Sequence, residues 1–260
     1  MSTILAAEGL IVEFPMQGRR ERFRAVEDVD IALRRGEILA VVGESGSGKT
    51  TTARVLAGLR AATAGTLELE GKPLPKRRDA ATKLAVQMVF QDPGQSLNPA
   101  LRIGSVLTEL LSVHKLVEAG RIEERCVELL DQVGLPARVL KARPREISGG
   151  QRQRVAIARA LAVEPRVLIA DEAVASLDYS VRAGVLNLLN DLNEELGLSM
   201  IFISHDLGIV ERIADRVIVM QGGRVVEEGE TAEVFSDPKN EYTRTLLAAS
   251  PRLVLGEVGS

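Results

Sequence analysis

The sequence of 260 residues predicts an α/β fold, with a parallel-stranded core, an N-terminal antiparallel β subdomain and an inserted α-helical subdomain. Three observations carry that expectation. The runs "ILAVV" (38–42), "RVLIA" (166–170) and "MIFIS" (200–204) have the unbroken hydrophobicity of strands buried on both faces. The first 35 residues and "GTLELEG" (65–71) alternate apolar and polar residues, as antiparallel strands do. From about 100 to 165 the periodicity is helical, so a helical segment separates two halves of the sheet.

Taken in order, the antiparallel start leads into the strand 38–42 and then a glycine-rich loop. "KTTTARVLAGL" (49–59) follows as a helix. The helical stretch is broken by "GLP" (134–136) and "RPREISGG" (143–150). Each buried strand is followed at once by polar or glycine-rich sequence, where open α/β sheets keep their sites. "RVIVMQGGRVVEEG" (216–229) reads as a hairpin turning at Gln221, Gly222, Gly223 and Arg224. After about 236 the pattern is weakly structured. The organisation expected is a single domain, 1–260, with the α/β core at about 1–95 and 160–235, the helical subdomain at about 96–159 and a C-terminal tail at 236–260.

Composition narrows the class. The chain is 45% hydrophobic and 27% charged with a net charge of −3, which argues against a protein whose work is to coat nucleic acid. Cys126 stands alone and excludes an intramolecular disulfide, a cysteine-based zinc site or an iron–sulfur cluster. The first ten residues lack a basic stretch followed by an apolar run, so no signal peptide is expected. No apolar run is long enough to span a bilayer, so any work at a membrane needs other chains to do the spanning. The basic stretches "RRERFR" (19–24) and "PKRR" (75–78) read as solvated faces, with contact to a phospholipid surface as the alternative.

"VVGESGSGKT" (41–50) carries the first chemistry. Gly43, Gly48, Lys49 and Thr50 fit the G-x-x-x-x-G-K-[ST] phosphate-binding loop, after a buried strand and before a helix. Glycines let backbone N–H groups curl around an anion, and the helix turns its positive end toward it. Lys49 would reach the outer phosphates of a nucleoside triphosphate, and the Thr50 hydroxyl would ligate Mg²⁺. The plain alternative is a glycine-rich turn with an exposed lysine.

A second anion site is suggested at "ISGGQRQRVAIARAL" (147–161). Ser148 and Gln151 fit a capping box, and a helix N-terminus preceded by two glycines is also a place for phosphate. One bound nucleotide does not need two such sites, so the economical reading gives this one to the nucleotide of a partner subunit. Asp171 and Glu172 end the run "VLIADE", where an aspartate would hold Mg²⁺ through water and a glutamate would orient or deprotonate attacking water. His205 ends the strand in "IFISHD", and Gln91 follows an apolar stretch in "VFQDP". Singly, these residues also read as helix caps, an exposed histidine and a turn.

Together, in this order, they resemble the nucleotide-binding subunit of an ATP-binding cassette (ABC) transporter over nearly the whole chain. The matching motifs are the P-loop "GESGSGKT", Gln91, the signature "ISGGQ", "VLIADE", "SLD" (176–178) and His205. The resemblance implies a P-loop NTPase (RecA-like) core and a head-to-tail dimer that sandwiches two ATP molecules. It implies ATP contacts from Gly43, Glu44, Ser45, Gly46, Ser47, Gly48, Lys49, Thr50, Thr51 and Gln91, with Thr50, Gln91 and Asp171 serving Mg²⁺. Glu172 is implied as catalytic base and His205 as γ-phosphate contact. Ser148, Gly149, Gly150, Gln151 and Asp178 would touch the partner's ATP. The adenine is expected on an aromatic ring upstream of the P-loop, Phe14 by preference over Phe23. Two positions depart from the family pattern, Ile147 for leucine and Ala173 for proline, and neither removes a group that touches phosphate or water.

Stretches outside the catalytic set, among them "FQDPGQSLNP" (90–99), "SVRAGVLNLLNDL" (180–192) and "NEYTRTLLAASP" (240–251), resemble the peptide-importer branch. That implies a second ATPase subunit, two transmembrane permease subunits, an extracytoplasmic solute-binding protein acting indirectly, and a peripheral place on the cytoplasmic face of the cell membrane. Nickel or metal-chelate import is the close alternative. A soluble cassette ATPase acting on nucleic acid or ribosomes is the first rival from another class. A P-loop GTPase or small-molecule kinase is the second, but this chain lacks the N-K-x-D guanine motif and such proteins have no use for "SGGQ".

Overall fold

The computed structural model describes residues 2–16, 21–75, 78–92 and 97–249. Residues 19–20 and 76–77 of the basic stretches, 93–96 and 250–260 lie outside the described residues.

The central sheet has six strands in the order β10-β9-β3-β8-β7-β6. These are β3 (Ile38–Val42), β6 (Val86–Val89), β7 (Val167–Asp171), β8 (Ser199–Ile203), β9 (Arg216–Gln221) and β10 (Arg224–Glu230). From β9 to β6 the pairing is parallel; β10 returns antiparallel on β9 through the glycine hairpin expected at 221–224. Period-two alternation divides two cores across this sheet. Ile38, Ala40, Val42, Leu168, Ala170, Met200 and Phe202 join the core that holds the helices of the inserted segment. Leu39, Val41, Val167, Ile169, Ile201 and Ile203 face the other way, into a core shared with the first helix and an antiparallel sheet. Both faces are therefore apolar, which is why these strands read as unbroken runs.

That second sheet has the order β2-β1-β4-β5, from β1 (Thr3–Pro15), β2 (Arg22–Arg34), β4 (Ala64–Leu69) and β5 (Lys72–Pro73). Its inward residues, Leu5, Leu10, Val29 and Leu33, are fully buried. The inserted helices are α3 (Ile103–Val113), α4 (Ile122–Gln132) and α5 (Gly149–Leu161). Ile103, Leu107 and Leu111, spaced four apart, form the buried stripe of α3 and meet Cys126, Leu129 and Leu130 of α4. The lone cysteine is a buried core residue.

Three elements differ from the sequence reading. The first helix, α1 (Lys49–Leu56), stops before residue 59: Gly58 turns at φ +73°, and the Arg78 guanidinium, buried rather than on the solvated face expected of "PKRR", donates to the carbonyls of Leu56 (2.7 Å) and Val55 (2.9 Å). Those bonds satisfy groups a helix end leaves open. The edge strand β6 is absent from the sequence reading, because four residues with a half-buried Gln87 carry too little pattern. The tail read as weakly structured after about 236 is corrected for α9 (Glu241–Ala249). Glu227 of β10 accepts from the backbone N–H of Lys239 (2.6 Å) and Asn240 (3.1 Å), and this anchor, invisible in local pattern, docks the helix. The remaining helices are α2 (Ala80–Ala85), α6 (Tyr179–Leu196), α7 (Leu207–Ile213) and α8 (Thr231–Ser236). Among the described residues no helix is long and apolar enough to cross a membrane.

Candidate functional site

The C-terminal ends of β3, β7 and β8, neighbours in the sheet, gather the expected site. The loop after β3 is forced by its glycines. A Cβ on Gly43 would lie 2.1 Å from the Met220 carbonyl oxygen, and one on Gly48 would lie 2.6 Å from that of Ala25. Both residues also hold positive φ, 143° and 104°, where side chains are strained. Gly223 of the β9–β10 turn donates its N–H to the Ser47 carbonyl (3.1 Å), so the hairpin braces the loop from behind.

Lys49 opens α1 yet is buried. Its ammonium donates to the carbonyls of Gly43 (2.8 Å) and Glu44 (2.7 Å) and to Ser47 Oγ (3.3 Å). Burial pulls its pKa below the ordinary lysine value, and the carboxylates of Glu172, Asp171 and Glu44 pull it back. One residue on, the Thr50 hydroxyl donates to Asp171 Oδ1 at 3.0 Å. Burial pushes the Asp171 carboxyl above the usual range, against the lowering effect of that hydrogen bond. An acidic oxygen and a hydroxyl oxygen side by side in a half-dry site are the hard donors that a Mg²⁺ ion takes. Among the described residues no cluster of three His, Cys, Asp or Glu could hold a metal, so a metal here would draw on donors besides those side chains, such as the Thr50 hydroxyl.

Glu172 follows in a left-handed backbone conformation (φ 49°), with its N–H donated to the Ile203 carbonyl of β8 at 3.0 Å. A non-glycine residue in that conformation is uncommon and carries some strain. The conformation and its tether aim the carboxylate toward His205, whose Nδ1 lies 3.3 Å from Glu172 Oε1. After His205, Asp206 caps α7 by accepting from the Ile209 N–H (3.3 Å) and pairs with Arg182 of α6 (3.2 Å). Arg182 also donates to the Leu177 carbonyl (3.3 Å), fixing the "SLD" turn. From that turn Ser176 donates to the Gln91 backbone carbonyl at 3.2 Å, so Gln91 sits against it.

Ser148, Gly149, Gly150 and Gln151 form a separate group at the head of α5. Ser148 Oγ accepts from the Gln151 N–H (3.2 Å) and Gln151 Oε1 accepts from the Ser148 N–H (2.9 Å), the reciprocal box expected from the spacing. Gly150 is buried, and a Cβ there would meet Val181 Cγ1 at 2.2 Å, so it lets α5 approach α6 next to Asp178. Ser148 and Asp178 are exposed. Phe14 and Phe23 are cross-strand partners on β1 and β2. The Arg60 guanidinium lies over the Phe14 ring, 3.7 Å from its centroid, while Phe23 is 55% exposed. Sequence reading missed Arg60, and it missed Tyr242, whose hydroxyl accepts from the Glu44 N–H at 3.0 Å. Neither carries a motif; only the fold brings them to the site.

Comparison with known proteins finds likeness across the chain. A family model described as ABC transporter matches residues 26–175. A putative peptide import ATP-binding protein of Brucella abortus is 44% identical, over 99% of this chain and 82% of its own length. The dipeptide transport ATP-binding protein DppF of Escherichia coli is 47% identical, over 88% of this chain and 70% of its own length. Among solved structures, cbiO1 of Clostridium perfringens, part of the ABC transporter complex cbiONQ, superposes with a TM-score of 0.79 at 30% identity, covering 91% of this chain and 92% of that one. The ATP-binding cassette MJ0796, solved as a dimer bound to ADP and Pi, superposes with a TM-score of 0.77 at 27% identity, covering 88% and 99%.

Proposed function

The chain belongs to the ABC transporter family, and we propose from that premise that it is the ATP-hydrolysing subunit that powers a membrane importer of di- and oligopeptides. One observation carries the ATPase reading: the Thr50–Asp171 pair and the Glu172–His205 pair converge at the mouth of a glycine-forced loop. In this reading Lys49 and the loop amides hold the phosphates of ATP. Glu172 orients and deprotonates the attacking water, and His205, beside it, meets the γ-phosphate. Thr50, Asp171 and Gln91 would hold Mg²⁺, which neutralises phosphate charge when bound. The capping box at Ser148 and the exposed Asp178 face a second cassette, whose ATP they would contact. A dimer of cassettes, two permease subunits and a solute-binding protein make up the importer, and the cassettes lie on its cytoplasmic face.

The cargo reading rests on relatives named for peptide and dipeptide import. A strain deleted for this chain, needing an amino acid supplied only as a dipeptide or oligopeptide, tests it. Failure to grow, restored by the wild-type gene and not by a Lys49→Ala copy, is the expected result. Normal growth on peptides with loss of nickel-dependent enzyme activity would overturn the peptide reading and leave the ATPase reading standing.

A further inference from the structure

The peptide unit that joins Gly43 to Glu44 is held from both sides. Its carbonyl, that of Gly43, accepts the Lys49 ammonium at 2.8 Å, and its N–H, that of Glu44, donates to the Tyr242 hydroxyl at 3.0 Å. Tyr242 stands 198 residues further along the chain, on α9. Its own place is fixed. Asn240 Oδ1 accepts the Tyr242 N–H (2.8 Å), the Asn240 amide donates to the Val226 carbonyl (3.3 Å), and Glu227 grips the backbone of residues 239 and 240. Tyr242, Leu246 and Leu247 pack against the helical core. A continuous set of bonds thus runs from β10, through the start of α9, into the first peptide of the phosphate loop.

We propose that Tyr242 is a positioning residue for ATP binding, acting through the Gly43–Glu44 peptide on Lys49, so that the C-terminal helix is a working part of the nucleotide site. The physical reasons are two. The loop's affinity depends on its amides and its lysine being in place before the anion arrives, and Gly43, at φ 143°, has no side chain to restrict rotation of that peptide. Fixing the N–H therefore fixes the carbonyl that orients Lys49. A donor already engaged also polarises its peptide, which makes the carbonyl a stronger acceptor for the ammonium.

The test uses the full chain with Tyr242→Phe, which removes the hydroxyl and keeps the ring, and Tyr242→Ala, which removes both. Equilibrium ATP binding, steady-state hydrolysis in the assembled transporter and thermal unfolding without nucleotide are measured for each. For Tyr242→Phe the expected result is an ATP Kd and KM raised about three- to tenfold, the factor one hydrogen bond carries, with kcat within about twofold of wild type. Its melting temperature should fall by no more than about 2–4 °C, the share of one hydrogen bond, whereas Tyr242→Ala should lower it further. Unchanged Kd and KM in Tyr242→Phe would overturn the inference, as would a melting temperature lowered as far as in Tyr242→Ala, since the hydroxyl would then only secure the helix. A wild-type chain without affinity for ATP would overturn this inference and the ATPase reading together.

Discussion

The hydroxyl of Thr50 and the carboxylate of Asp171, 121 residues apart in the chain, lie 3.0 Å from one another. The bond ties the first turn of α1 to the end of β7, and burial raises the Asp171 pKa despite it. Between its unfolded and its raised native pKa, such a carboxyl keeps its proton in the native state while the unfolded chain has lost it. Stability therefore falls as pH climbs from the ordinary aspartate value through the raised one, and the deficit persists above. Asp171→Asn keeps an oxygen to accept from Thr50 and removes the charge. The nucleotide-free variant should melt about 2–4 °C above wild type at neutral pH, the shift that ~1 kcal/mol makes in a chain of this size. The gain should vanish in acid, where both side chains are neutral. ATP hydrolysis should be lost at every pH. Calorimetry at pH 7 and at acid pH checks the first two, and a variant less stable than wild type at pH 7 would refute the assignment of a burial penalty.

Glu172→Gln keeps the size of the side chain and its reach toward His205 and removes the base. Turnover should fall by about 10²- to 10⁴-fold while ATP affinity stays within about threefold, because general-base catalysis contributes on that scale and phosphate contacts come from elsewhere. Phosphate release and equilibrium ATP binding measure the two separately. Near wild-type turnover would exclude Glu172 as the base.

Gly150 is a packing glycine in this chain, with Val181 where its Cβ would go. Gly150→Ala should cost about 1–3 kcal/mol by overpacking and push α5 away from α6. Val181→Ala opens the space, so the double variant should regain most of that loss. Urea unfolding of the two singles and the double decides it, and full additivity would show that Val181 is not the obstacle.

Ser148→Arg adds bulk and charge at an exposed cap, so the fold should survive, with about 0.5–2 kcal/mol lost from the cap. If the capping box serves the partner's nucleotide, a mixed dimer with Ser148→Arg in one subunit and Lys49→Ala in the other places both lesions in one composite site. About half of wild-type sites should then remain able to bind ATP. Loss of both sites in that mixed dimer would contradict the arrangement.

Much of the site was legible in the chain because its chemistry is local. The glycines and Lys49 sit within eight residues and need only a strand before them and a helix after. Ser148 and Gln151 satisfy one another across three residues, so their spacing alone predicts the box that forms. Asp171, Glu172 and His205 stand at the ends of short apolar runs that read as buried strands, and parallel strands deliver their ends to one edge. What the tertiary structure decided are the contacts that no local pattern encodes. Arg60 lies on Phe14, Val181 fills the space beside Gly150, Arg78 closes α1, and α9 forms where the sequence read as a weak tail. Each pairs separate segments of the chain through one or two hydrogen bonds, a ring face or a van der Waals contact. Such a contact leaves no periodicity in either segment, and it exists only once the sheet and its two cores have set the backbone in place.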